Sequence, residues 1–219
     1  MGATNRVSEG QRSRNYDSPG SPSSGICSFK GLYSTRLPIA VDLDGTITTR
    51  TTALSLLWIF KSGISIALRS VFSGVLKLLT KEGRRDGVSF RAILDNASDF
   101  DPKSCIYNAN LVNKLREIKS SGGSLILTTG ASEGIAKSVA EHLGLFDMVL
   151  HSTKHMRNVG ENKAKTLVEL FGEQGFVYIG NDWLDIPVWE MAKVAVLVNT
   201  PHGLQDLMRK KHERCIVMS

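Results

Sequence analysis

Two carboxylates stand two residues apart in Asp42-Leu43-Asp44-Gly45-Thr46, directly after the apolar run Leu37-Pro38-Ile39-Ala40-Val41. Such a pair suits a site in which one acid attacks an electrophile and the other moves a proton. The same residues also suit an ordinary loop, because Asp44-Gly45 is a turn signal. Three further clusters bear on the choice. Thr129-Gly130 offers a hydroxyl and open backbone N–H groups, which can hold phosphate oxygens where a helix begins. Gly180-Asn181-Asp182-Trp183-Leu184-Asp185 offers oxygen ligands for a hard cation such as Mg²⁺. Glu161-Asn162-Lys163-Ala164-Lys165 opens a helix, and a lysine there can neutralise both a carboxylate nucleophile and a phosphate. Alone, either lysine reads as a solvated first-turn residue. With the other clusters, it completes the set of groups that phosphoryl transfer requires.

These residues need elements to position them, and the pattern supplies them. Leu37–Val41 is short, apolar and stops at a carboxylate, as a strand buried on both faces does. Leu125-Ile126-Leu127, Val177-Tyr178-Ile179 and Val194-Ala195-Val196-Leu197-Val198 share that character. Between them lie helical faces: Leu111, Leu115 and Ile118; Ile135, Val139 and Leu143; Leu167, Leu170 and Phe171. Alternating strands and helices predict an α/β domain with a central parallel sheet flanked by helices. Ligands in such sheets bind beyond the carboxyl ends of the strands, where the polar clusters fall.

The 219 residues are 42% hydrophobic and 22% charged, enough to bury a full core. Cys27, Cys105 and Cys215 form no paired pattern, which argues against a disulfide scaffold or structural zinc and for a reducing, cytoplasmic setting. The net charge of +6 resides mostly at the ends: residues 37–200 carry eighteen basic and seventeen acidic side chains. A near-neutral domain offers no basic groove for nucleic acid. Residues 1–36 read as a disordered tail rich in Ser and Gly, without a secretory or myristoylation signal. Residues 206–219 read as a basic C-terminal tail. Residues 51–107 read as an inserted helical cap, split near Ser62-Gly63 and rich in Leu, Ile and Val. Its apolar face either packs within the protein or touches a bilayer or a lipid-like substrate peripherally. Lys61, Arg69 and Lys77 interrupt it too evenly for a transmembrane span.

Taken in order, the four clusters resemble the motifs of the haloacid dehalogenase (HAD) superfamily of hydrolases. The resemblance implies a Rossmann-like core over 37–50 and 108–205, with a cap inserted after the first strand. It makes Asp42 the nucleophile that forms an aspartyl-phosphate and Asp44 the general acid and base. Thr129, Gly130 and Lys163 become phosphate ligands; Lys163 is preferred to Lys165 because Leu167 follows at the usual spacing. Asp42, Asp44, Asn181, Asp182 and Asp185 become the Mg²⁺ set. Asn181 departs from the superfamily, which usually has Asp there, and Asp182 is the carboxylate that can substitute. Dehalogenases do not need Asp44, and the ATP-driven pumps carry Thr in its place, so the implied reaction is that of a phosphatase or phosphomutase. Within the superfamily, Val41–Thr46, His142-Leu143-Gly144-Leu145-Phe146-Asp147 and Ile179–Trp189 look like the HAD domain fused ahead of UbiA-type membrane prenyltransferases. That likeness points to a phosphorylated small molecule, a sugar phosphate or a prenyl-linked one. It also keeps open a non-catalytic, membrane-associated partner of a prenyltransferase. His151 and His155 read as surface histidines, Cys105 as packing, and Arg209–Arg214 as a solvated helix end.

Overall fold

The computed structural model describes residues 28–49 and 100–218. Most of the expected cap (51–99) and of the N-terminal tail (1–27) lies outside the described residues. Six short strands form one sheet: β1 (Ile39–Val41), β2 (Leu125–Thr128), β3 (Met148–Leu150), β4 (Val177–Gly180), β5 (Val194–Val198) and β6 (Cys215–Met218). All neighbours are parallel, in the order β3-β2-β1-β4-β5-β6. The chain runs outward from β1 to β3, then crosses back to β4 on the other side of β1. A switch point therefore lies between β1 and β4, where a parallel sheet opens a crevice at its carboxyl end.

Alternation along the strands sorts the core into two layers. Ile39, Val41, Leu125, Leu127, Val177 and Ile179 pack with Leu111, Leu115 and Ile118 of α1 (Ala109–Ser120) and Ile135 and Val139 of α2 (Glu133–Leu143). Ala40, Ile126, Tyr178, Ala195 and Leu197 face the other side. There they meet Leu167 of α3 (Gly160–Phe171), Val188 and Trp189 of α4 (Ile186–Met191), and Leu204 and Met208 of α5 (His202–Lys211). Asn108 begins α1 by accepting a hydrogen bond from the Leu111 amide (3.1 Å). Leu170 is 48% exposed, contrary to the sequence expectation, because α3 turns the face of Lys163, Ala164 and Leu167 to the sheet.

Three boundaries differ from the sequence reading. A 3₁₀ turn over Phe29–Ser34 buries Leu32 completely, so folded structure begins well before Leu37. A single leucine amid Ser and Gly carries too little periodicity to announce this. The expected basic tail is the end of α5 followed by β6, an edge strand paired with β5. Arg209, Lys210 and Lys211 occupy the last turn of α5, where cations meet the negative end of the helix dipole. At the inserted segment, Thr49 N–H donates to Ile106 O (2.8 Å) and Asn108 N–H to Ile47 O (2.8 Å). Phe100, Cys105 and Tyr107 pack with the domain, so the return from the insertion falls near 100 rather than 108. No helix of the described residues is long and apolar enough to cross a membrane.

Candidate active site

Register aligns the strand ends. Val41 lies opposite both Leu127 and Ile179, which sets Asp42 between Thr128 on β2 and Gly180 on β4. Asp42 N–H donates to Ile179 O (2.9 Å), and alternation turns its side chain to the layer of Ala40, the side of α3. Lys163, in the first turns of α3, reaches back to it: its ammonium donates to Asp42 Oδ1 at 2.7 Å. Both residues are buried, at 7% and 3% exposure. Lys165, two residues on, points outward beside Glu169.

Lys163 also donates to the Tyr178 hydroxyl (3.0 Å), which in turn donates to Asp185 Oδ1 (2.5 Å). The ammonium itself stands 3.7 Å from Asp185. The other oxygen of Asp185 accepts from the backbone N–H groups of Asn181 (3.0 Å) and Asp182 (3.1 Å), tying down the turn after β4. One cation thus serves two buried carboxylates. Burial pushes the Asp42 carboxyl up to about 7; Lys163 opposes this, while Asp185 and Asp44 reinforce it. Burial works against the Lys163 ammonium, but Asp42 and Asp185 outweigh it and hold the lysine above its ordinary value.

Thr46 links the first strand to the fourth. Its hydroxyl is 3.3 Å from Asp42 Oδ2 and 3.2 Å from Asn181 Oδ1, so a carboxylate oxygen and an amide oxygen meet at one side chain. Gly45 permits this approach: its φ is +83°, and a Cβ there would sit 2.1 Å from the Asn181 amide nitrogen. Asp44 lies half-buried in the same turn. Gly180 is equally constrained, since a Cβ would meet Asp185 Oδ2 at 2.6 Å and the Tyr178 ring at 2.8 Å. Gly180→Ala is therefore expected to cost about 1–3 kcal/mol by overpacking, read as a lower urea midpoint.

The remaining expected residues divide. Thr129 is fully buried next to the Asp42 register position; its Oγ1 accepts from Ala131 N–H (2.9 Å). Gly130 O accepts from Ser152 Oγ (2.9 Å). Asp182 is exposed, and both oxygens of Asp185 are engaged as above. Among the described residues no three His, Cys, Asp or Glu side chains gather as a metal group. The oxygens that do meet, from Asp42 and Asn181, are of the kind a hard cation takes. His155 is exposed and His151 lies against the Ser152 carbonyl.

Two residues escaped the sequence reading. Tyr178 looks there like one more strand residue, and only a hydroxyl in an otherwise aliphatic run hints at more. Asn158 is 1% exposed, and its amide nitrogen reaches Thr128 Oγ1 (3.0 Å), Thr129 O (3.3 Å) and Leu150 O (3.1 Å). It binds the ends of β2 and β3 to the segment entering α3. An Asn in a polar loop carries no signal of that.

No family model matches the chain. An uncharacterized protein of Sinorhizobium fredii, y4nM, is 29% identical over 179 residues, covering 81% of this chain and 33% of the relative. The chain thus spans about a third of the length of that curated relative. Among solved structures, a protein of unknown function from Bordetella pertussis Tohama I superposes with a TM-score of 0.60 at 12% identity, covering 84% of this chain and 99% of the other. A haloacid dehalogenase-like hydrolase from Streptococcus pneumoniae gives 0.55 at 16% identity, over 84% and 94%. A substrate-bound phosphoserine phosphatase gives 0.53 at 16% identity, over 84% and 93%. At such identities the likeness is one of fold: the all-parallel six-stranded sheet flanked by helices has the Rossmann-like architecture of those two hydrolases.

Proposed function

We propose that the chain is a phosphatase of the HAD type, hydrolysing a phosphate monoester through a phosphoryl group carried on Asp42. The observation that carries this reading is the buried Asp42–Lys163 pair at the switch point, with Asp185 and Tyr178 behind it. In the first step an Asp42 oxygen attacks phosphorus and the ester oxygen departs, taking a proton from Asp44. In the second, Asp44 removes a proton from water, the water oxygen attacks phosphorus, and Asp42 leaves as carboxylate with inorganic phosphate released. Lys163, Thr129 and Gly130 hold the phosphoryl oxygens as charge shifts among them.

The donors around Thr46 fit a hard divalent ion, which would supply electrostatic stabilisation of the phosphoryl oxygens. Asp42 and Asn181 would hold Mg²⁺, with Asp44 beside them; Asp182 and Asp185 stand outside that set. A neutral amide in place of a carboxylate lowers the negative charge available to the ion. In this reading the insertion beginning after Thr49 selects the substrate. Its apolar composition, with the UbiA-type likeness, favours an alcohol with a prenyl or other apolar part.

The test is release of inorganic phosphate from a panel of sugar phosphates, amino-acid phosphates and short prenyl phosphates, with Mg²⁺ and with a chelator. Magnesium-dependent release without an acceptor is the expected result and sets a hydrolase apart from a phosphomutase. Silence across the panel at millimolar Mg²⁺ would reject the phosphatase.

A further inference from the structure

We infer that Tyr178 is a positioning residue: its hydroxyl stands between Lys163 and Asp185 and keeps the ammonium group on Asp42. The inference rests on the phosphatase reading only for its kinetic readout. Lys163 has one positive charge and two buried carboxylates within reach, at 2.7 Å (Asp42) and 3.7 Å (Asp185). At a buried position, where charges are weakly screened, an ammonium drawn to the wrong partner has little to bring it back. The phenol resolves the competition by acting in both directions. Its single proton goes to Asp185 Oδ1 at 2.5 Å, and its oxygen accepts from Lys163 at 3.0 Å.

Asp185 is then satisfied without the lysine, by one hydroxyl and two backbone N–H groups. The ammonium is held short of Asp185, yet keeps a second acceptor besides Asp42. The ring can impose this spacing because it is closely packed. It is fully buried on β4, meets Trp189 edge-on with centroids 6.2 Å apart, and occupies the gap left by Gly180. The ammonium also sits 5.5 Å from the ring centroid. Nothing in the packing asks for the hydroxyl, since phenylalanine has the same shape. Its place in the strand is explained by the charges it separates.

The experiment is Tyr178→Phe, followed by crystal structure and by kinetics on whichever ester the wild type hydrolyses. Lys163 Nζ is expected to move onto Asp185 and out of hydrogen-bond range of Asp42. In kinetics, kcat is expected to fall about ten- to a hundredfold, with KM within about twofold. Adding Asp185→Asn removes the competitor, and the lysine is expected back on Asp42. Lys163 still bound to Asp42 in Tyr178→Phe would overturn the inference, as would a kcat within about twofold of wild type. If the wild type hydrolyses nothing, the phosphatase reading fails while the position of Lys163 in the variant still decides this one.

Discussion

Asp42→Asn is expected to lower phosphate release by about 10³-fold or more, the scale of loss when a covalent nucleophile is removed. An amide oxygen attacks phosphorus poorly and cannot carry the intermediate. In the proposed mechanism the loss falls on kcat, because Thr129, Gly130 and Lys163, the residues proposed to bind the phosphate, remain. The substitution keeps the shape and one acceptor for Lys163, so the fold should survive. A second signature follows from the raised Asp42 pKa. In the folded protein freed of divalent ions, this carboxyl holds its proton up to about 7, against an ordinary value of 3.8. Its contribution to stability is therefore complete below the ordinary value and disappears as pH climbs through the folded one. Relative to Asp42→Asn, the wild type should lose on the order of a few kcal/mol between about pH 4 and pH 8. Parallel urea titrations at several pH values measure the difference; curves that run parallel would show that Asp42 is not desolvated as described.

Lys163→Met is expected to destabilise the protein by about 3–5 kcal/mol near pH 8, the cost of leaving buried charges without their partner. Methionine replaces the aliphatic stem, so the loss isolates the ammonium. Asp42 and Asp185, both buried, would then be left with no cation between them. Acid should relieve the variant as those carboxylates take up protons. The wild-type lysine, held above its ordinary value by the same two acids, gives its full contribution below about pH 10 and loses it above. Lys165→Met supplies the contrast. Its partner Glu169 is 3.8 Å away and both side chains are largely exposed, so about 0.5 kcal/mol or less is at stake. Equal effects of the two substitutions on the urea midpoint would contradict the buried network. Loss of turnover should accompany Lys163→Met alone.

The strands around the site were legible from residue types. A parallel strand covered on both faces has to be short and continuously apolar, and the residue that ends it has to be polar. Leu37–Val41 closing at Asp42 and Val177–Ile179 closing at Gly180-Asn181 show both features, so the candidate site could be named before any contact was known. Residue types alone left Lys163 and Lys165 open; the HAD resemblance, through the spacing to Leu167, preferred Lys163, and the helix turns that face to the sheet.

Other features depend on partners far along the chain. Cys215–Met218 is a strand because β5 offers it an edge, while the basic residues ahead of it suggest only a solvated tail. Leu32 is core because α1 and the sheet close over it. Thr46 meets Asn181 across 135 residues, and Gly45 is needed for that approach rather than for its own turn alone. Tyr178 acquires its role only where α3 and the turn after β4 bring Lys163 and Asp185 to its hydroxyl. Local sequence determines which segments can be strand or helix, because periodicity and burial are properties of the segment itself. Which buried charge faces which, and at what distance, was decided by strand register and helix docking, since those interactions exist only once distant segments are packed together.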